Sequence, residues 1–180
     1  MIARTGAKGV RKAENRPSAL QSEGFSPGQG SLVQGFQSSY TLNMRILITG
    51  DRHWRCDELA EQIVNRLLAR YGPGLVIVHG GAPGFDNAFA TACRELGIVA
   101  EPHLADWKGL GNIAGPERNR EMVEAGADLC ITLHRSIETS KGTKDCVRQA
   151  LAAGIPVWLV EDDRGVPKRV LTGDKRLDRP

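Results

Sequence analysis

From residue 44 onward the sequence alternates short apolar runs with longer segments whose apolar residues recur every three or four positions. The short runs are rich in β-branched residues and mostly lack polar alternation, which is typical of parallel strands buried on both faces. The longer segments have the one-sided apolar pattern of amphipathic helices. The sequence therefore predicts an α/β fold, a Rossmann-like doubly wound parallel sheet of about five strands with helices on both faces. The predicted strands are 45–49, 75–78, 98–102, 129–133 and 157–160, and the predicted helices are 57–71, 86–96, 116–125 and 143–153.

Composition divides the chain into three parts. Residues 1–43 are rich in Gly, Ser, Gln and Pro and lack an apolar period, which predicts a disordered segment or a mis-assigned extension ahead of Met44. We expect one folded domain over 44–163 and a basic tail over 164–180. The tail carries six basic and two acidic residues, whereas 44–163 carries 13 basic and 17 acidic ones. The acidic core argues against nucleic acid as a partner.

The remaining composition excludes several classes of partner. No apolar run approaches the roughly 18 residues of a membrane span, so we expect no membrane partner. The four cysteines show no C-x-x-C spacing and no secretory segment precedes the domain, so we expect reduced thiols and a cytoplasmic location. The four histidines show no metal-binding spacing, although two of them, His79 and His134, are candidates to line a ligand cleft. We therefore expect neither a metal nor another cofactor.

A glycine-rich motif, His-Gly-Gly-Ala-Pro-Gly-Phe-Asp over residues 79–86, joins the second strand to the second helix. Glycines allow the backbone to approach a ligand closely, and the free N–H groups at a helix start favour a phosphate. This predicts an anion-binding turn. A tight strand-to-helix turn without a ligand is the alternative.

Three further motifs lie at the same predicted edge of the sheet. Arg52 follows the first strand, Arg118 stands in the first turn of the third helix, and Thr143 opens the fourth. Each alone is also compatible with a surface charge or a helix cap. Because strand ends and helix starts meet at one edge, together they predict a site for a nucleotide-like, phosphate-bearing small molecule. The predicted ligand-binding residues are Gly50, Asp51, Arg52, His79, Gly80, Gly81, Gly84, Asp86, Arg118, Asn119, Gly142 and Thr143.

Four stretches together resemble the SLOG superfamily, named for DprA/Smf and the cytokinin-activating LOG enzymes, and in particular its YspA/YpsA-related, DUF2493-type branch. They are RILITGDR at 45–52, HGGAPG at 79–84, ADW at 105–107 and GPERN at 115–119. The resemblance covers residues 44 to about 163. It implies a Rossmann-like fold, binding of nucleotides or nucleotide-derived ligands, and self-association into a homo-oligomer.

The resemblance also implies an enzymatic alternative, because LOG enzymes resemble phosphoribohydrolases that cleave the base from a nucleoside 5′-monophosphate. Glu117, Arg118 and Met122 are similar to their E-R-x-x-x-M motif, which places Arg118 on the catalytic arginine. Gly142-Thr143 matches part of their P-G-G-x-G-T-x-x-E signature, but Cys146 stands at the glutamate position. The candidate catalytic carboxylate is then Asp145, one residue early, or Asp86.

Three functions follow from these observations. The first is a ligand-binding or sensor domain that requires no catalytic residue. The second is a phosphoribohydrolase in which Arg118 and Asp145 are catalytic. The third is DprA-like binding of nucleic acid, against which the acidic core argues.

Overall fold

Residues 43–178 are described by a computed structural model, and the predicted extension over 1–43 lies almost entirely outside them. Six strands form one sheet in the order β3-β2-β1-β4-β5-β6. The first five run parallel, and β6 is antiparallel to β5. The predicted α/β, Rossmann-like fold is confirmed. The strands are β1 (Arg45–Gly50), β2 (Val76–His79), β3 (Val99–Pro102), β4 (Leu129–Leu133), β5 (Val157–Val160) and β6 (Lys168–Val170).

Helices cover both faces of the sheet because alternate residues of a strand point to opposite sides. Ile46 and Ile48 of β1 pack with α1 and α2 on one face. Leu47 packs with α4 and α5 on the other. The helices are α1 (Asp57–Tyr71), α2 (Phe85–Leu96), α3 (Trp107–Leu110), α4 (Ala114–Glu124), α5 (Lys141–Ala152) and α6 (Lys175–Asp178), with 3-10 turns at Gly111–Ile113 and Ile137–Thr139.

The strand order reverses at β1. From β1 the chain builds outward through β2 and β3, then crosses back so that β4 pairs with the opposite edge of β1. The N–H of Asp51 donates to the carbonyl of Leu133 at 2.9 Å, which continues this pairing just past the end of β1. The connections that follow β1 and β4 diverge to opposite faces, so a crevice is expected between them.

The segment after residue 163 differs from the basic tail that the sequence predicts. It contains β6 and α6, and Val170 and Leu177 are buried in the core on the α5 side. The guanidinium of Arg148 in α5 donates to the carbonyl of Leu177. A three-residue strand and a four-residue helix are too short to produce a recognisable periodicity. Every helix within residues 43–178 is too short or too polar to cross a bilayer.

Candidate ligand-binding cleft

A cleft of about 370 Å³ opens where the strand order reverses, at the carboxyl ends of β1 and β4. This is the usual ligand position in doubly wound sheets, and the volume suits a small molecule. Eight of the twelve predicted ligand-binding residues line it: Gly50, Asp51, Arg52, Asp86, Arg118, Asn119, Gly142 and Thr143.

The remaining four predicted residues, His79, Gly80, Gly81 and Gly84, are not among those that line the cleft. The sequence analysis in turn missed several lining residues, most of which are neighbours of predicted ones in the chain. His134 is different, because the sequence already suggested it, with His79, as a residue of the cleft. The structure places His134 in the lining directly after β4 and leaves His79 out of it. The missed residues are Thr49, His53, Ala82, Thr139, Ser140 and Lys141.

The glycine-rich turn is held by acceptors of the protein itself. Asp86 Oδ2 accepts the N–H of Gly80 at 3.0 Å and that of Ala82 at 3.1 Å. The N–H of Gly81 donates to Nδ1 of His79 at 3.1 Å. The turn therefore has no free N–H at residues 80–82, which differs from the open anion-binding turn expected from the sequence. Asp86 occupies the position at the start of α2 that a bound anion would take.

Neighbouring groups approach two of the glycines closely. Gly84 has φ +82°, and a Cβ there would overlap the backbone of Asp51 and Arg52. A Cβ on Gly80 would overlap the guanidinium of Arg118. The turn therefore packs directly against the end of β1 and against α4, and it contributes Ala82 and Asp86 to the lining of the cleft.

Two guanidinium groups of the cleft have no carboxylate partner within residues 43–178. Arg118 donates from Nη1 to the carbonyl of Gly80 and from Nε to Asn119 Oδ1 at 3.1 Å. These neutral acceptors orient the guanidinium without neutralising its charge. Arg52 is exposed and has no hydrogen bond or ion pair with any described residue.

The first turn of α5 is held against β1 and α4. Ser140 Oγ accepts the N–H of Thr143 at 3.1 Å, as a helix cap does. Thr143 Oγ1 donates to the carbonyl of Gly50 at 3.2 Å. Asn119 Nδ2 donates to the carbonyl of Gly142 at 3.3 Å. The amino end of α5 is therefore fixed beside the end of β1.

The candidate catalytic carboxylate Asp145 does not reach the cleft. Its Oδ2 accepts from Asn119 Nδ2 at 2.8 Å and from Gln149 Nε2 at 2.9 Å, and it is not among the lining residues. Asp145 lies one residue before the position of the glutamate in the LOG signature, and this difference in helical phase directs its side chain toward α4. The structure brings Arg118 to the cleft without Asp145.

Burial shifts two titratable groups of the cleft in opposite senses. It raises the pKa of Asp86 to about 6, although the N–H groups of Ala82 and Gly80 and the charge of Arg118 oppose the rise. Burial lowers the pKa of His134, against the attraction of Asp51 and of a glutamate nearby. Within residues 43–178, no group of three or more His, Cys, Asp or Glu side chains is arranged to hold a metal ion.

The fold and the cleft define a Rossmann-like α/β protein with a cleft at the reversal of strand order. Residues 44–109 match the family model described as the YspA, cpYpsA-related SLOG family. The chain is also 44% identical over 123 residues to the Gene 61 protein of Mycobacterium phage D29, an alignment that spans 63% of this chain and 93% of the phage protein. This chain belongs to the YspA, cpYpsA-related SLOG family, which confirms the resemblance seen in its motifs.

The comparison with solved structures gives one match that covers part of this chain. The X-ray structure of TM1055, a target of the Northeast Structural Genomics Consortium, has a TM-score of 0.48 and 19% sequence identity to this chain. The superposition covers 63% of this chain and 72% of TM1055.

Proposed function

We propose that this domain binds a nucleotide-like, phosphate-bearing small molecule in the cleft and serves as a ligand-binding or sensor domain. One observation carries the proposal: Arg52 and Arg118, neither of which has a carboxylate partner among the described residues, line the same cleft as the amino end of α5. Unpaired guanidinium groups and a helix amino terminus both favour an anionic oxygen ligand. Membership of the SLOG family supports a small-molecule ligand.

The anionic group of the ligand is assigned to α5 rather than to the glycine-rich turn. Within residues 43–178, the N–H groups of Lys141 and Gly142 in the first turn of α5 have no acceptor, whereas those of the turn at 80–82 are taken. The exposed ammonium of Lys141 adds positive charge at the same end. A phosphate at α5 would lie in the cleft that Arg52 and Arg118 also line.

The test is a thermal-shift and calorimetric titration of the full chain with AMP, ADP-ribose and inorganic phosphate. A ligand at 100 times its dissociation constant stabilises the protein by about 2.7 kcal/mol. We expect stabilisation of the parent protein and at least about tenfold weaker binding by Arg52→Gln and Arg118→Gln.

Arg120→Gln is the matched control, because Arg120 lies two residues from Arg118 on α4 but pairs with Glu117 and Glu124 on the exposed side. It is expected to bind like the parent. Equal binding by all three variants, or no response of the parent protein to any probe, would contradict the proposal.

A phosphoribohydrolase is the second candidate, and one feature of Asp86 favours it. Its Oδ1 accepts no hydrogen bond from residues 43–178, Asp86 lines the cleft, and its pKa is raised to about 6. A carboxyl group with such a pKa is suited to donate and accept protons near neutral pH. In this case Asp86, rather than Asp145, acts with Arg118. Chromatography of AMP incubated with the protein would show free adenine, which Asp86→Asn abolishes and Asp145→Asn preserves.

A further inference from the structure

His134 and Asp51 face each other in the cleft without making a hydrogen bond. Nε2 of His134 lies 3.9 Å from Oδ2 of Asp51, whereas an N–H···O hydrogen bond spans about 2.7–3.2 Å. Both residues line the cleft, one after β4 and the other after β1. The His134 side chain is only 8% exposed, so this polar ring has lost most of its hydration on folding.

The two facing atoms have opposite hydrogen-bonding roles. Nδ1 of His134 accepts the N–H of Ser136 at 3.1 Å, which leaves the ring proton on Nε2. Because burial lowers the pKa of His134, the neutral ring with this Nε2–H is the form present at pH 7. Asp51 uses Oδ1 to accept the N–H of His53 at 2.8 Å, so Oδ2 remains an acceptor. A donor and an acceptor therefore stand 3.9 Å apart.

A hydroxyl group matches this pair. Its oxygen can accept from Nε2–H while its proton goes to Oδ2, and an oxygen about 2.8 Å from each atom fits between two atoms separated by 3.9 Å. A phosphate oxygen would be repelled by the Asp51 carboxylate. An ammonium group has no lone pair for the Nε2–H. The pair therefore selects a group that donates and accepts at the same atom.

We propose that His134 and Asp51 form a hydroxyl-binding subsite and that the ligand is a phosphorylated ribosyl compound, one of whose ring hydroxyls bridges Nε2 of His134 and Oδ2 of Asp51. This rests on the proposed function, which supplies the phosphate end of the ligand at α5. Arg52 directly follows Asp51, and Ser140 to Thr143 line the same cleft as His134, so the two subsites share one cavity. A sugar phosphate has the two groups, an anion and a nearby hydroxyl, that such a cavity requires.

The experiment compares ligands that differ by one hydroxyl. The full chain is titrated calorimetrically with ribose 5-phosphate and 2-deoxyribose 5-phosphate, and with AMP, 2′-deoxy-AMP and 3′-deoxy-AMP. In the parent protein we expect loss of the bridging hydroxyl to weaken binding by about tenfold or more, because it leaves a buried donor and a carboxylate unpaired.

Two variants remove the subsite while keeping the local backbone contacts. His134→Asn retains an acceptor for the N–H of Ser136 but lacks Nε2, and Asp51→Asn retains an acceptor for the N–H of His53 but replaces Oδ2. His134→Asn is expected to bind hydroxyl and deoxy ligands within about twofold of each other, and Asp51→Asn, whose amide nitrogen cannot accept the hydroxyl proton, is expected to discriminate less than the parent does. His103→Asn is the control, because His103 contacts Glu101 and is not a cleft residue; it should discriminate as the parent does.

The outcomes separate this inference from the proposed function. Equal binding of hydroxyl and deoxy ligands by the parent protein would overturn the subsite and leave phosphate binding intact. Discrimination that persists in both variants would also overturn it. No binding of any phosphate probe would overturn both proposals. If His134→Asn does not fold, as judged by circular dichroism, Asp51→Asn and the comparison within the parent protein decide the question.

Discussion

Asp86 and Arg118 hold the two backbone polar groups of a single residue, Gly80. The carboxylate accepts the Gly80 N–H at 3.0 Å, and the guanidinium donates to the Gly80 carbonyl. Through this residue α2 and α4, which lie on opposite faces of the sheet, are linked at the edge of the cleft. Since both side chains also line the cleft, a change in either one alters this linkage and the lining of the cleft together.

The buried carboxyl of Asp86 makes stability depend on pH in an unusual sense. Because its pKa rises from 3.8 to about 6 on folding, the native state holds the proton more tightly than the unfolded chain. The free energy of unfolding should therefore fall, by up to about 3 kcal/mol from this group, as pH rises from below 4 to above 6. Urea denaturation of the parent protein and Asp86→Asn across this range measures the contribution.

The side chain at position 86 cannot titrate in Asp86→Asn. As pH rises, the free energy of unfolding of the parent should therefore fall relative to that of the variant. Asp145→Asn is the control for removing a carboxylate near the same helices. Parallel pH profiles for the parent and Asp86→Asn would show that Asp86 is not the responsible group.

We expect Gly84 to tolerate no side chain. Its φ of +82° disfavours an L residue, and a Cβ would meet the immobile backbone of Asp51 and Arg52. Gly84→Ala is expected to lower the free energy of unfolding by more than about 2 kcal/mol. Gly142→Ala is the matched control, because nothing lies within 4 Å of a Cβ there, and it should change stability by less than about 1 kcal/mol. Comparable losses in the two variants in chemical denaturation would contradict this account.

Two buried threonines should respond in opposite ways to replacement by valine. Thr143 Oγ1 donates to the carbonyl of Gly50, so Thr143→Val should cost about 1 kcal/mol. Thr132 is fully buried, and its Oγ1 has no partner among the described residues. Thr132→Val should therefore leave the free energy of unfolding unchanged or raise it by up to about 1 kcal/mol. Denaturation midpoints of the pair are the measurement, and a larger loss for Thr132→Val would refute it.

The segment after residue 163 should contribute to stability through its buried side chains. Leu177 is 3% exposed and packs in the core on the α5 side, whereas Leu171 is 64% exposed. Leu177→Ala is expected to cost about 2–4 kcal/mol and Leu171→Ala less than about 0.5 kcal/mol. Equal thermal stability of the two variants would mean that this segment is only loosely attached.

The sequence predicts the parallel part of the fold well because each element there is long enough to show its period. Five strands and four helices appear close to their predicted positions, although α4 begins at Ala114 instead of residue 116. β6, α3 and α6 have three or four residues each. In elements this short, contacts such as the burial of Val170 decide the conformation, and no pattern in the chain reports them.

The sequence predicts where the cleft lies but not how it is built. Glycines at residues 80–84 indicate that some group approaches the backbone closely, and the sequence cannot say whether that group belongs to a ligand or to the protein. In the structure the guanidinium of Arg118 approaches Gly80, and the backbone of Asp51 and Arg52 approaches Gly84. Likewise, the rotation of Asp145 away from the cleft depends on one residue of helical phase. The pairing of His134 with Asp51 depends on the neighbouring places of β4 and β1 in the sheet, which local sequence does not encode.

The position of β1 in the middle of the sheet also has a consequence for synthesis. One edge of β1 pairs with β2, about 30 residues later in the chain. The other edge pairs with β4, which is much further along the chain: Arg45 and Asp128, which are hydrogen-bonded where these strands begin, are 83 residues apart. A nascent chain on the ribosome therefore exposes an apolar strand edge until most of the domain has been made, which favours late, cooperative closure and makes incomplete chains prone to aggregate.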